Sequence, residues 1–179
     1  MRKRPVRPCM LATTLLLLAL STAPTTAQDD EKKAPPKDLP RYGFDYVPTL
    51  YPQKTPKEAL TSIVKAIDQQ RVDYLLAQLA DPIYVDAQVA EYRPQFAKNK
   101  PDARTFLAFD RLVQDTVAYY LSDPLLVREL RLFARDGAWE VNDDAATGVH
   151  KDVPARKMFL RRIGERWFLE NRQQEKPQQ

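Results

Sequence analysis

Tyr74, Asp81, Tyr84 and Asp86 stand close together in the chain, and Asp110 interrupts the apolar side of a helical pattern running from Phe106 to Tyr120. These are the side chains whose types and spacing could do chemistry. A carboxyl group in an apolar cavity is held neutral or poised as a general base, because burial penalises its charged form. Tyr74, Tyr84 and Asp110 are therefore the candidate ligand-binding residues, and no set of catalytic residues can be assigned. Each also has a plainer reading. Asp81 and Asp86 suit helix caps, and Asp110 beside Arg111 and Arg104 suits ion pairing on a helix surface.

Other chemistries are excluded more firmly. The single cysteine, Cys9, lies near the start, and the single histidine, His150, falls at the end of an expected strand, where a solvated position is expected. A single histidine excludes a His-rich zinc site, and no Cys-His pair is expected because Cys9 falls within the leader-like segment that the mature chain would lose. After the first 27 residues the serines are Ser62 and Ser122, both on or beside expected helices and neither in a G-x-S-x-G turn. Gly43, Gly137, Gly148 and Gly164 are too scattered to cradle a phosphate. Asn142-Asp143-Asp144 lacks the spacing and glycine of a calcium loop and reads as a turn. No metal and no cofactor are expected.

The elements that would position these residues begin after a leader. Arg2, Lys3, Arg4 and Arg7 precede a short apolar run from Met10 to Leu20, and Thr25-Thr26-Ala27 offers a small-residue cleavage site. Residues 1–27 thus read as a signal peptide, too short in its apolar part for the roughly 20 residues of a membrane span. The expected destination is secreted or periplasmic. That segment takes four bases and no acid with it, so the 28 Lys and Arg fall to 24 and match the 24 Asp and Glu. The mature chain is formally neutral, which removes the charge argument for nucleic-acid binding.

Residues 28–40 are charged, proline-rich and read as a disordered spacer. Residues 41–54, with Tyr42, Phe44, Tyr46 and Tyr51, read as an extended aromatic arm lying on the domain. A single α+β domain is expected over 55–172, with a disordered tail at 173–179. Thr55, Pro56 and Glu58 form a capping box that opens a helix bearing Leu60, Ile63, Val64 and Ile67 on one face. Asp73 is placed as the cap of a shorter helix with Leu75, Leu76 and Leu79 inward, ended by Asp81-Pro82. Val85, Val89 and Tyr92 suit another short helix, broken by Pro94. From Asp102 one stripe carries Phe106, Phe109, Val113, Val117 and Tyr120, with Arg104 and Asp115 opposite. Asp123-Pro124 starts a last helix with Leu126, Leu130 and Phe133 aligned, closed by Gly137.

After Gly137 the period drops toward two. A strand at Trp139 and Val141, a turn and a strand from Ala145 to His150 are followed by the hairpin of Met158 to Asn171, turning at Gly164-Glu165 as type II′. Its register sets Leu160 opposite Leu169, Arg162 opposite Trp167 and Ile163 opposite Arg166. Met158, Leu160, Trp167 and Leu169 then share a core face. Phe159, Ile163 and Phe168 share the other with Arg161, Arg166 and Glu170, an apolar centre with an arginine rim that reads as a homodimer interface unless the arm covers it.

The capped helix T-P-K-E-A-L-T-S-I-V-K-A-I, the R-V-D-Y-L-L-A-Q-L-A segment and the closing R-W-F-L-E-N strand resemble exported members of the nuclear transport factor 2-like (SnoaL-like) superfamily, over roughly Thr55 to Asn171. The resemblance implies N-terminal helices packed on a C-terminal curved antiparallel sheet, a cone-like α+β fold, with Asp102 to Arg135 as an addition to the simplest pattern. That fold hosts many functions. The expectation is an exported soluble binding or interaction module, taking a small apolar ligand or pairing with itself. The alternatives are a small cofactor-free enzyme using Asp and Tyr groups in the cone, isomerase- or hydratase-like as the resemblance implies, and an envelope-structural protein.

Overall fold

Helices come first and the sheet last in the computed structural model, which describes residues 40–171. α1 spans Pro56–Asp68, and its capping box forms as expected: Thr55 Oγ1 accepts from the Glu58 amide at 3.2 Å while Glu58 accepts from the Thr55 amide at 3.1 Å. α2, Val72–Tyr74, runs directly into a π-helical turn, Leu75–Leu79, closed by the Ala80 amide on the Leu75 carbonyl at 2.8 Å. Arg71 rather than Asp73 occupies the cap position of α2. The Asp73 carboxylate accepts instead from the Tyr74 amide and the Arg71 guanidinium. Leu75, Leu76 and Leu79 are buried, since the widened turn directs the whole apolar run inward.

Asp81 caps α3, Pro82–Tyr92, and a 3₁₀ turn over Arg93–Phe96 takes up the break imposed by Pro94. α4, Pro101–Ser122, buries Ala108, Phe109 and Leu112, whereas Phe106 is 50% exposed. Phe109 is buried and Val113, Val117 and Tyr120 pack partly against the core, as the stripe expects, but the aromatic that opens it points to water and Leu112 joins the core instead. α5, Pro124–Asp136, is capped by Asp123 and buries Leu126, Leu130 and Phe133 against α1.

β1 (Ala138–Val141), β2 (Ala145–Val149), β3 (Met158–Ile163) and β4 (Arg166–Leu169) form an antiparallel meander in that order. The β3–β4 register is the expected one, and Gly164 turns the hairpin at φ +63 while Glu165 keeps a negative φ, the type II′ combination. Trp139 faces Gly148 across β1 and β2, and a Cβ at that glycine would lie 2.9 Å from the indole. Trp167 is 3% exposed and belongs with Met158 and Leu160 to the core cluster built on α1 and the π turn.

His150 is not solvated. The chain turns tightly beyond β2, with the Val153 amide on the His150 carbonyl at 3.1 Å, and this tucks the imidazole under α5 against Phe133. The residue is 5% exposed, and its Nδ1 accepts from the Asp152 amide.

The arm is turned rather than extended. Arg41 and Phe44 exchange both backbone hydrogen bonds around Tyr42 and Gly43, which lie at φ +53 and +86, and a second turn joins Val47 to Tyr51. Tyr42 stacks on Phe109 at 4.2 Å between centroids, and Tyr51 stacks on Tyr74 at 4.3 Å. Among the described residues no helix is long and apolar enough to cross a membrane.

Candidate functional site

The edge of β4 is where the arm and the sheet meet. The Trp167 amide donates to the Gln53 carbonyl at 2.9 Å, and Gln53 Nε2 donates back to the Trp167 carbonyl at 2.8 Å. Further along, the Asp81 amide donates to the Leu169 carbonyl at 2.8 Å. An edge strand so covered does not offer a template to another chain. Gln53 Oε1 accepts Arg166 Nε at 3.0 Å, and the same guanidinium donates to the Gln78 carbonyl at 2.8 Å. Gln78 Nε2 in turn donates to the Phe44 carbonyl at 2.7 Å. The Arg166 guanidinium lies over the Tyr46 ring at 3.7 Å and contacts Phe168 at 4.8 Å, a cation–π pairing that joins arm to hairpin.

Phe168, expected on an open face, is therefore only 6% exposed within one chain, while Phe159 and Ile163 are half-buried beside it. Arg161 bridges two carboxylates on the same face, Asp81 and Glu170, each at 3.2 Å.

A cleft of about 660 Å³ opens between the helices and the sheet. Its floor is apolar: Leu75 and Leu76 from the π turn, Leu112 from α4, Leu126 and Leu130 from α5, and Met158 from β3. The walls follow from helical spacing. Tyr84, Gln88 and Tyr92 succeed one another every four residues on α3 and so share one stripe, while Asp115, Thr116, Tyr119 and Tyr120 follow Leu112 on the facing stripe of α4. The two helices pack side by side. Arg156 and Lys157 close one end ahead of β3, and Glu170 and Asn171 follow β4.

Several charges in this cleft are already tied. Tyr92 donates its hydroxyl to Asp115 at 2.9 Å, and Arg111 reaches both oxygens of the same carboxylate at 3.0 and 3.1 Å. The Tyr92 bond, ahead of Arg111, holds the Asp115 carboxyl below the usual range, and the same bond raises Tyr92. Arg156 forms an ion pair with Glu129 at 3.0 Å rather than an aligned hydrogen bond. Tyr120 differs: burial first, then the neighbouring Tyr119 and Tyr84 phenols, pushes its pKa up to about 12. It is a neutral hydrogen-bond donor at every physiological pH.

Of the candidate ligand residues, Tyr84 alone lines the cleft. Tyr74 is buried, and its oxygen accepts the Val47 amide at 3.1 Å, which makes it a clamp for the arm. Asp110 is exposed on α4, and the Arg111 guanidinium goes to Asp115 instead. Asp81 is a cap, as expected. Asp86 is not: it sits mid-helix on α3 and binds Arg41 and the Tyr42 hydroxyl. Asp115, expected on the polar face of α4, belongs to the cleft wall. The stripe of Tyr84, Gln88 and Tyr92 was the available signal for this wall, since polar-tipped side chains every four residues between buried Val85 and Val89 face neither core nor bulk water alone.

A shallower depression beside His150, edged by Asp136, Val149 and Pro154, gathers no comparable set of polar groups. Among the described residues no group of His, Cys, Asp or Glu side chains is placed to hold a metal ion.

No protein-family model matches the chain, and no curated protein or solved structure is found to match it.

Proposed function

We propose that this chain is an exported binding module whose α3–α4–α5 cleft takes up a small, mainly apolar molecule. The observation that carries the reading is the pairing of an apolar floor with a tyrosine-rich wall in a space of about 660 Å³, within the size range and the chemistry of small-molecule sites. The leader-like residues 1–27, which lie outside the described residues, support export. The order of capped helices followed by an antiparallel sheet supports kinship with the nuclear transport factor 2-like superfamily, as does a cleft between the two layers. Binding is favoured over catalysis because the carboxylates Asp115 and Glu170 on the lining are engaged by arginines, and Asp81, Asp86 and Asp110 point elsewhere. Self-association through Phe159, Ile163 and Phe168 is a lesser part of the proposal, since Phe168 already leaves water within one chain.

The test is saturable uptake of naphthalene by the purified chain, followed by fluorescence. Thr116 lines the cleft and is not part of the buried core, so Thr116→Trp places an indole in the space without emptying the core. The reading expects one molecule bound per chain and loss of that binding in Thr116→Trp with an unchanged melting temperature. Equal uptake by the blocked variant would sink it.

A further inference from the structure

Three phenols reach the cleft from two helices: Tyr84 from α3, and Tyr119 and Tyr120 from α4. Tyr119 and Tyr120 meet at 5.8 Å between ring centroids, and both Tyr84 and Tyr119 lie close enough to act electrostatically on the Tyr120 hydroxyl. None of the three oxygens has a hydrogen-bond partner among the described residues. This contrasts with the other tyrosine on the same wall, Tyr92, which is committed to Asp115. Tyr42, Tyr51 and Tyr74 are likewise committed, to Asp86, Gln69 and the Val47 amide. Tyr42, Tyr51, Tyr74 and Tyr92 thus spend their hydroxyls within the fold and Tyr46 stacks on Arg166, whereas the three in the cleft have no such partner among the described residues.

We propose that Tyr120, with Tyr84 and Tyr119 beside it, receives the uncharged carbonyl or hydroxyl oxygen of an otherwise apolar ring compound lying on the leucine floor. The inference rests on the binding reading above and names its ligand class. A phenol can donate to such an oxygen and accept from a hydroxyl. An anion is disfavoured at this point, because the burial that resists ionisation of Tyr120 penalises any other negative charge placed against it. The leucines supply non-directional affinity, and the phenols supply orientation. Tyr119, 57% exposed, is the most open of the three phenols, and the apolar body of the ligand lies inward on the leucines.

Three probes of one shape separate the terms: naphthalene, 2-acetylnaphthalene and 2-naphthoate, titrated calorimetrically against the full mature chain at neutral pH. The ketone is expected to bind about fivefold to tenfold more tightly than naphthalene, the gain of one net hydrogen bond, and 2-naphthoate more weakly than the ketone. Tyr120→Phe removes only the hydroxyl, so it should abolish the ketone's advantage, read as the ratio of the ketone and naphthalene affinities. Its melting temperature at neutral pH, expected to match the parent's, shows that the variant is folded. If naphthalene and the ketone bind alike, or Tyr120→Phe retains the preference, the phenol assignment is overturned while the cleft stands as a binding site. If 2-naphthoate binds most tightly, the site is an anion site served from the Arg156 and Lys157 end, and the assignment is again overturned. If no probe binds, the binding reading and the inference both fall.

Discussion

The β4 edge and the cleft are both built from polar side chains set against apolar ones, and they finish their hydrogen bonds in opposite ways. At the edge, Gln53 uses both ends of its amide, on the Trp167 carbonyl and on Arg166, and Gln78 does the same with Phe44 and Arg166. The Arg166 guanidinium is stacked as well as bonded. In the cleft, Tyr84, Tyr119 and Tyr120 bring hydroxyls to an apolar space without partners among the described residues. Leaving a buried polar group unbonded costs free energy, which the edge avoids by pairing; the three tyrosine hydroxyls are not among the buried unpaired polar atoms and stay open to the cleft, where water or a ligand bonds them. The edge is what a structural polar network looks like here, and the cleft departs from it on one wall.

Breaking the edge should cost the most. Trp167→Ala removes a buried indole from between the sheet and α1, and a loss of about 3 to 5 kcal/mol is expected in urea denaturation. A midpoint that hardly moves would put the core on the wrong side of the hairpin. Gln53→Leu keeps the bulk but strands the Trp167 carbonyl and withdraws an acceptor from a charged donor, which is worth about 2 to 3 kcal/mol. It should also release the arm, read as faster proteolysis between Tyr42 and Tyr51. If the midpoint changes and the arm stays protected, Arg166 and Gln78 suffice to hold it.

The cleft should respond in the contrary sense. Tyr120→Phe removes a hydroxyl that has no partner among the described residues, so stability at neutral pH should stay within about 0.5 kcal/mol of the parent, as for a surface substitution. The alkaline limb sharpens the contrast. The Tyr120 pKa is raised from 10.0 to about 12 in the folded chain, so below pH 10 the group is neutral folded or unfolded and contributes no pH dependence. As pH rises from 10 through about 12 the unfolded chain ionises first, and stability falls. Tyr42, also raised by burial and by Asp86, adds to the same decline. Tyr120→Phe should flatten that limb in part, measured as melting temperature against pH. An unaltered limb would mean that Tyr120 ionises as freely in the fold as out of it.

Local order was legible along the chain because its signals are local. The Thr55, Asp81 and Asp123 caps, the Pro94 break and the β3–β4 register with its Gly164 turn all depend on residues within a few positions of one another. Helix-then-sheet order, and hence the α+β class, follows from that series. Phase around a long helix was less legible: in α4 several apolar stripes compete, and contact with α3 and α5 decided that Leu112 goes in, Phe106 goes out and Asp115 faces a cleft. His150 was misplaced for a related reason, since a strand end is solvated only if nothing packs over it, and α5 does.

The partnerships at the site had no local signature at all. Gln53 and Arg166 are 113 residues apart, and a glutamine between Pro52 and Lys54 looks like any surface residue until the sheet edge arrives beside it. Gln78 offered a hint, as a lone polar residue inside the apolar run from Leu75 to Ala80. The sequence by itself determined where most of the helices and strands begin and which residues the hairpin pairs, because cap geometry and turn geometry are properties of short segments. Tertiary structure alone decided that the arm closes the β4 edge and that three tyrosines from two helices share one cleft, because a hydrogen bond or its absence depends on what distant chain comes within about 3 Å.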